Sequence, residues 1–96
     1  MALSIPAESR FAPAENIRSR QVEGEVVVVN MTSGNYYVLD EVSTFLWRQL
    51  EEKPVRVREM LENLLAEYET TPEECLGNIE NFCRYMLEEK LVMVKS

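Results

Sequence analysis

Residues 26–39 read VVVVNMTSGNYYVL, and this stretch decides the fold. Two runs rich in β-branched and aromatic residues, Val26–Met31 and Asn35–Leu39, flank a three-residue connection that ends at Gly34. A short connection containing glycine between two such runs predicts a β-hairpin. Gly34 can adopt the positive φ that a tight return requires without a Cβ clash. Because the rest of the chain is mostly helical in pattern, this hairpin has to supply the sheet on which the helices pack.

A weaker alternation before the hairpin predicts one more strand. The sequence therefore indicates a three-stranded antiparallel meander over about residues 16–22, 25–31 and 35–39. The continuous valine run suits the middle strand, which is paired on both sides. The first and third strands are then the edges, and their outer N–H and C=O groups are unpaired.

Three helices are expected after the sheet. Asp40 is a good N-cap for a helix over about residues 41–51, and apolar residues at three- and four-residue spacing predict a second over about 57–68. Thr71 followed by proline and two glutamates marks the start of the third, over about 72–89. The expected fold is α+β and winged helix-turn-helix-like.

The ends of the chain carry weaker signals. Residues 1–14 contain two prolines and little periodicity, so they are predicted to be a flexible N-terminal arm. Residues 15–96 are expected to form one domain, since 96 residues suit a single core. The apolar run Leu91–Val94 is expected to be extended and to return either to the core or to a sheet edge.

Composition argues against several classes of partner. The net charge of −7 disfavours nucleic acid, whose affinity for proteins comes largely from Lys and Arg on phosphates. There is no apolar run near the ~20 residues that span a bilayer, and no signal for secretion, so a cytoplasmic protein without a membrane partner is expected.

Catalytic and metal-binding patterns are missing. The sequence contains no histidine, which removes the commonest general acid/base and metal ligand. Cys75 and Cys83 lie on the same predicted helix, about 12 Å apart along its axis, too far for a disulfide. They are expected to be reduced apolar side chains. We predict no catalytic residues, no metal site and no cofactor, and therefore a protein that is not an enzyme.

The winged-helix layout leaves two uses open. The glutamates of the third helix would repel the phosphates of DNA. A transcription-factor-like or adaptor role is therefore kept only as the alternative. Otherwise an extended peptide can add to the free edge of the third strand. The wide apolar stripe of the third helix would then wall a groove, facing the peptide with one side of the stripe (Leu76, Ile79, Cys83 and Leu87) and with Glu80 and Arg84 at its rim. A stripe that is simply core is the other interpretation.

The run GEVVVVNMTSGNYYVLDEVSTFLWRQLEEK, residues 24–53, resembles the PqqD-like family of RiPP recognition elements, which serve ribosomally made peptide pathways. The resemblance rests on Ser33-Gly34, Tyr36-Tyr37, Leu39-Asp40 and Leu46-Trp47 and extends over about residues 17–94. Asp40 stands where the family usually has asparagine, which keeps N-capping. Lys53-Pro54-Val55 replaces a glycine-containing loop, and this difference affects only the expected shape of that loop.

This resemblance implies a stand-alone peptide chaperone for natural-product biosynthesis. Such proteins bind the leader segment of a precursor as a strand added to the third strand, and deliver it to a radical enzyme or, in lasso peptide clusters, a leader protease. A monomer or weak dimer is expected. Carried onto this chain, the peptide-binding residues are Tyr36, Tyr37, Val38, Leu76, Ile79, Glu80, Cys83, Arg84 and Leu87. Which side of each element meets the peptide stays open, although alternation places Tyr37 with Leu39, which is expected in the core.

Overall fold

A β-meander followed by three helices forms most of the fold, in a computed structural model that describes residues 8–95. The order of elements is β1 (Arg10–Pro13), β2 (Ile17–Val22), β3 (Glu25–Asn30), β4 (Tyr36–Leu39), α1 (Glu41–Glu52), β5 (Val55–Arg56), α2 (Val57–Glu67), α3 (Pro72–Glu88) and β6 (Val92–Lys95). The expected α+β, winged-helix-like arrangement is confirmed. The predicted meander strands and helices agree with these bounds to within one residue at each end.

The meander is antiparallel, with β3 between β2 and β4. Val28 of β3 faces Tyr37 of β4, and Val26 faces Leu39. Val26, Val28 and Leu39 are all buried, so one face of this sheet is part of the core. Gly34 closes the β3–β4 turn with a φ of 84°, the positive value expected of it.

Local signals set the helix starts. The Asp40 carboxylate accepts a 2.8 Å hydrogen bond from the Ser43 amide, and the Thr71 hydroxyl accepts one of 3.2 Å from the Glu74 amide. Both capping bonds satisfy amides that the first turn of a helix leaves unpaired. At the start of α2 the Glu59 carboxylate instead accepts from the Arg56 amide at 2.9 Å.

A second antiparallel sheet, in the order β5-β1-β6, corrects the prediction of a flexible arm over residues 1–14. Residues 10–13 form β1, which pairs with β6 on one side and β5 on the other. Phe11 is 1% exposed, and the burial of its ring in the core is the reason that β1 is ordered. Residues 1–7 lie outside the described part of the chain. The extended run at 91–94 does return to a sheet, as β6.

The core lies between the meander and the helices, and the second sheet closes it. Its largest fully buried side chains include Trp47, Met60, Ile79 and Leu91, from α1, α2, α3 and the approach to β6. Among residues 8–95, no helix is both long enough and apolar enough to cross a membrane.

Candidate peptide-binding groove

A cleft of about 590 Å³ runs between the edge strand β4 and helix α3, and residues at the start of α1 also line it. We call it the β4–α3 groove. Its lining consists of Tyr36, Tyr37, Val38, Leu39, Asp40, Val42, Ser43, Asn78, Asn81, Phe82, Tyr85 and Met86.

The strand side of the groove carries unpaired backbone groups. The backbone N–H of Asn30 donates to the backbone carbonyl of Asn35 at 2.9 Å. This bond fixes which of the alternating residue pairs along β3 and β4 are hydrogen-bonded. By that alternation the backbone groups of Tyr37 and Leu39 face β3. Those of Tyr36 and Val38 face outward, where no strand of the described chain pairs with β4. These two residues are therefore the hydrogen-bonding edge that the groove offers.

The side chains of β4 divide between two faces. Tyr37 is partly buried: its hydroxyl donates to the Glu89 carboxylate at 3.0 Å, and its ring meets that of Tyr85 edge-on, with centroids 6.1 Å apart. Desolvation, then the Glu89 hydrogen bond and charge, raise the pKa of Tyr37 above its usual value. Tyr36 and Val38 point to the other face of the sheet and are 70% and 54% exposed. The alternation predicted for this strand is confirmed.

Helix α3 forms the opposite wall with residues three and four positions apart. Asn78, Asn81 and Tyr85 are exposed along the groove, and Phe82, which is 6% exposed, forms its floor. This spacing places them on one flank of the helix. The wall thus offers two amide side chains, each able to donate and accept, beside two aromatic rings.

The α3 residues expected in the wall need correction, because α3 turns a different flank to β4. None of the six predicted α3 residues lines the groove: Leu76, Ile79, Glu80, Cys83, Arg84 and Leu87. Ile79 and Cys83 are buried, 0% and 1% exposed, in the core. Glu80 and Arg84 form an ion pair with each other. At about 100° per residue, Leu76, Glu80 and Leu87 lie about 160–200° around the helix from Asn78.

The wall residues were missed because the apolar stripe of α3 is the core face of the helix, as the alternative interpretation held. The stripe has two flanks, and hydrophobicity does not say which one meets the sheet edge. The available signal was the spacing of Asn78, Asn81 and Tyr85, which are polar or amphipathic residues at three- and four-residue intervals beside the stripe. The α1 residues Val42 and Ser43 carried no signal for a site.

The two cysteines lie outside the lining of the groove, and neither is an activated nucleophile. Burial raises the pKa of the Cys83 thiol to about 12 and also raises that of Cys75, so neither is ionised near neutral pH. Both thiols are free and buried. The described residues contain no cluster of side chains that could hold a metal ion.

Two solved structures and one family model are similar to this chain. TbiB1, solved in complex with the TbiA(beta) leader peptide, is 26% identical and superposes with a TM-score of 0.78 over 84% of this chain and 93% of that one. Lasso peptide synthetase B1, complexed with the leader peptide, has the same fold: it is 18% identical, with a TM-score of 0.78 over 86% of this chain and 96% of its own. A search among curated proteins found no match. The family model of coenzyme PQQ synthesis protein D (PqqD) matches residues 25–92, so the resemblance is confirmed and the chain belongs to the PqqD family.

Proposed function

We propose that this protein binds the leader segment of a ribosomally made precursor peptide as a strand added to β4, and presents it to a modifying or processing enzyme. The observation that carries the proposal is the free backbone edge of Tyr36 and Val38 facing an open groove. An added strand would satisfy these N–H and C=O groups, and side-chain contacts would select its sequence. The leader-peptide complex of TbiB1 supports the same use of the fold.

The register of the edge predicts how a peptide is read. Peptide residues opposite Tyr36 and Val38 share hydrogen bonds with them and point to the exposed face of the sheet. The residues between them point into the β4–α3 groove, toward Tyr37, Asn81 and Tyr85. Alternate side chains of the leader therefore meet the wall of α3. The aromatic rings of that wall favour an apolar leader side chain, and its amide side chains favour polar groups beside it.

We propose a role without catalysis by this chain. Its two thiols are buried and held protonated, and the Asp40 carboxylate at the groove is engaged in capping α1 through the Ser43 amide. The chemistry belongs to the partner, a radical enzyme or a leader protease, and the protein acts in the cytoplasm, where the precursor is made. A monomer or weak dimer suits this role, because a stable dimer through β4 would occupy the edge.

The test is a titration of ¹⁵N-labelled protein with the leader encoded by the nearest short open reading frame, followed by amide hydrogen exchange. We expect shifts along β4 and at Asn78, Asn81 and Tyr85. We also expect the Tyr36 and Val38 amides to gain protection, by about 100-fold at a leader concentration 100 times Kd. The Tyr37 amide, bonded to β3, should be protected in both states, which provides an internal control.

A scrambled leader of the same composition is the matched control and should bind at least about tenfold more weakly, because the side-chain contacts lose their register. Protection of Tyr37 alone, or shifts confined to the flank of Leu76 and Leu87, would contradict strand addition at this edge. Shifts with duplex DNA and none with the leader would favour the transcription-factor-like alternative.

A further inference from the structure

The meander has a second face, on the side away from the core. Alternation places the side chains that follow the buried positions of β3 and β4 on this face, together with those opposite them on β2. We call it the outer sheet face. It carries Arg18, Arg20 and Val22 from β2, Glu25, Val27 and Val29 from β3, and Tyr36 and Val38 from β4.

The outer sheet face is open, and exposed apolar side chains lie on it beside the two arginines. Tyr36 is 70% and Val38 54% exposed, and Met31, directly after β3, is 63% exposed. A shallow cavity of about 340 Å³ lies between Met31, Val29 and the β2 arginines. In an antiparallel sheet the face away from the core is usually polar. Exposed apolar side chains grouped on such a face mark a site of interaction with another molecule.

The charge of this face opposes that of the whole protein. The chain has 17 acidic and 10 basic side chains, yet within residues 8–95 neither Arg18 nor Arg20 takes part in an ion pair. The Arg18 guanidinium donates instead to the backbone carbonyls of Glu15 and Ile17, each at 2.9 Å. Glu25 is the carboxylate at the end of the same face, and it is in no ion pair with either arginine.

We infer that the outer sheet face docks the enzyme that acts on the bound precursor, through a patch of that enzyme that combines carboxylates with apolar side chains. Carboxylates would pair with Arg18 and Arg20, and the apolar groups would cover Val27 and Val29. A second copy of this chain fits less well, because two outer sheet faces would bring four arginines together, two from each copy. Only Glu25 from each side would offset that repulsion.

The outer sheet face adjoins the edge to which the peptide adds, and this identifies the docked partner as the enzyme that acts on the peptide. This step rests on the proposed function. Tyr36 and Val38 offer their backbone groups to the peptide and their side chains to the outer sheet face. Peptide side chains paired with them would extend that same face by one strand. An enzyme docked there would contact the protein and its bound precursor together, and would be placed beside the strand on which it acts.

The test measures the affinity of the purified modifying or processing enzyme, encoded beside this chain, for immobilised protein with and without leader. The variant Arg18→Glu/Arg20→Glu should weaken enzyme binding by about tenfold or more, and raising salt from about 50 to about 500 mM should weaken the wild type more than this variant. Val27→Thr/Val29→Thr should weaken it without changing charge. Leader affinity should stay within about twofold in both, since none of the four residues lines the groove.

The matched control reverses the same number of charges on the other side of the sheet, at Arg48 and Lys53 (Arg48→Glu/Lys53→Glu), and should leave enzyme affinity unchanged. The inference is overturned if the outer-face variants bind the enzyme as the wild type does, or if the wild type does not bind it. It is also overturned if the arginine reversal abolishes self-association or DNA binding instead. A wild type that does not bind the leader would count against the proposed function. The enzyme measurement without leader tests the docking face alone.

Discussion

Two adjacent tyrosines show how a one-residue step separates two roles. The Tyr36 backbone faces the free edge and its side chain lies on the outer sheet face, 70% exposed. The Tyr37 backbone bonds to β3, and its side chain enters the groove, where it is held by Glu89 and Tyr85. Substitutions at Tyr37 therefore change the pocket that a peptide side chain meets. Substitutions of the Tyr36 side chain leave the groove floor and the edge hydrogen bonds in place.

Cys83 provides a residue-level test of which flank of α3 is core. It is 1% exposed and its thiol is deeply desolvated. Cys83→Asp would bury a carboxylate without a partner, and we expect it to lower the free energy of unfolding by several kcal/mol, enough to unfold much of the protein. Cys83→Ala removes only the sulfur and should cost about 1 kcal/mol. Urea denaturation followed by circular dichroism measures both.

An Asp variant with the stability of the wild type, but with reduced leader affinity, would contradict the core assignment of Cys83. It would place the groove on the flank of Leu76 and Leu87. A matched control is Asn81→Asp, which adds the same charge on the exposed groove flank. That variant should fold normally and change leader affinity only.

At the scale of elements, β4 is an edge strand whose backbone amides face β3 and the open groove in turn. Val38→Pro removes an N–H that faces the groove, whereas the ladder to β3 uses Tyr37 and Leu39. We expect Val38→Pro to weaken leader binding by about tenfold or more, while the free energy of unfolding changes by about 1–2 kcal/mol. Calorimetric titration gives the affinity and urea denaturation gives the stability.

Val38→Ala keeps the amide and is the matched control, with an expected loss of leader affinity below about threefold. Tyr37→Pro removes a bond of the β3–β4 ladder and should destabilise the fold more than Val38→Pro does. Equal leader affinity for the proline and alanine variants would show that the Val38 amide is not used by the peptide.

For the meander and the three helices, element type and order were predictable because the signals are local. Asp40 and Thr71 mark helix starts, Gly34 marks a turn, and the valine run marks the paired strand. The groove edge at Tyr36–Val38 followed from the same reasoning. The flank of α3 that meets β4 did not, because it depends on how the helix is rotated over the sheet. That rotation is set by packing against α1 and α2, which no local pattern encodes.

At the scale of the whole molecule, the second sheet joins segments that are far apart in sequence. β1 pairs Phe11 with Val55 on one side and with Val94 on the other. Strands of two to four residues carry too few positions for a reliable alternation, so the sequence indicated an arm where the molecule has a strand. Once paired, β1 ties the start of the described chain to its end and to the α1–α2 connection.

This tie makes Phe11 a test of cooperativity across the molecule. Its side chain belongs to the same buried cluster as Val28 of the meander and Ile79 of α3. Phe11→Ala should therefore lower the free energy of unfolding by about 3–5 kcal/mol, a large share of the stability of a small domain. Val94→Ala, at a 52% exposed position of β6, is the matched control and should cost less than about 0.5 kcal/mol. If urea denaturation gave equal midpoints for the two variants, β1 would open independently of the core, and residues 10–13 would behave as the mobile arm that their composition indicates.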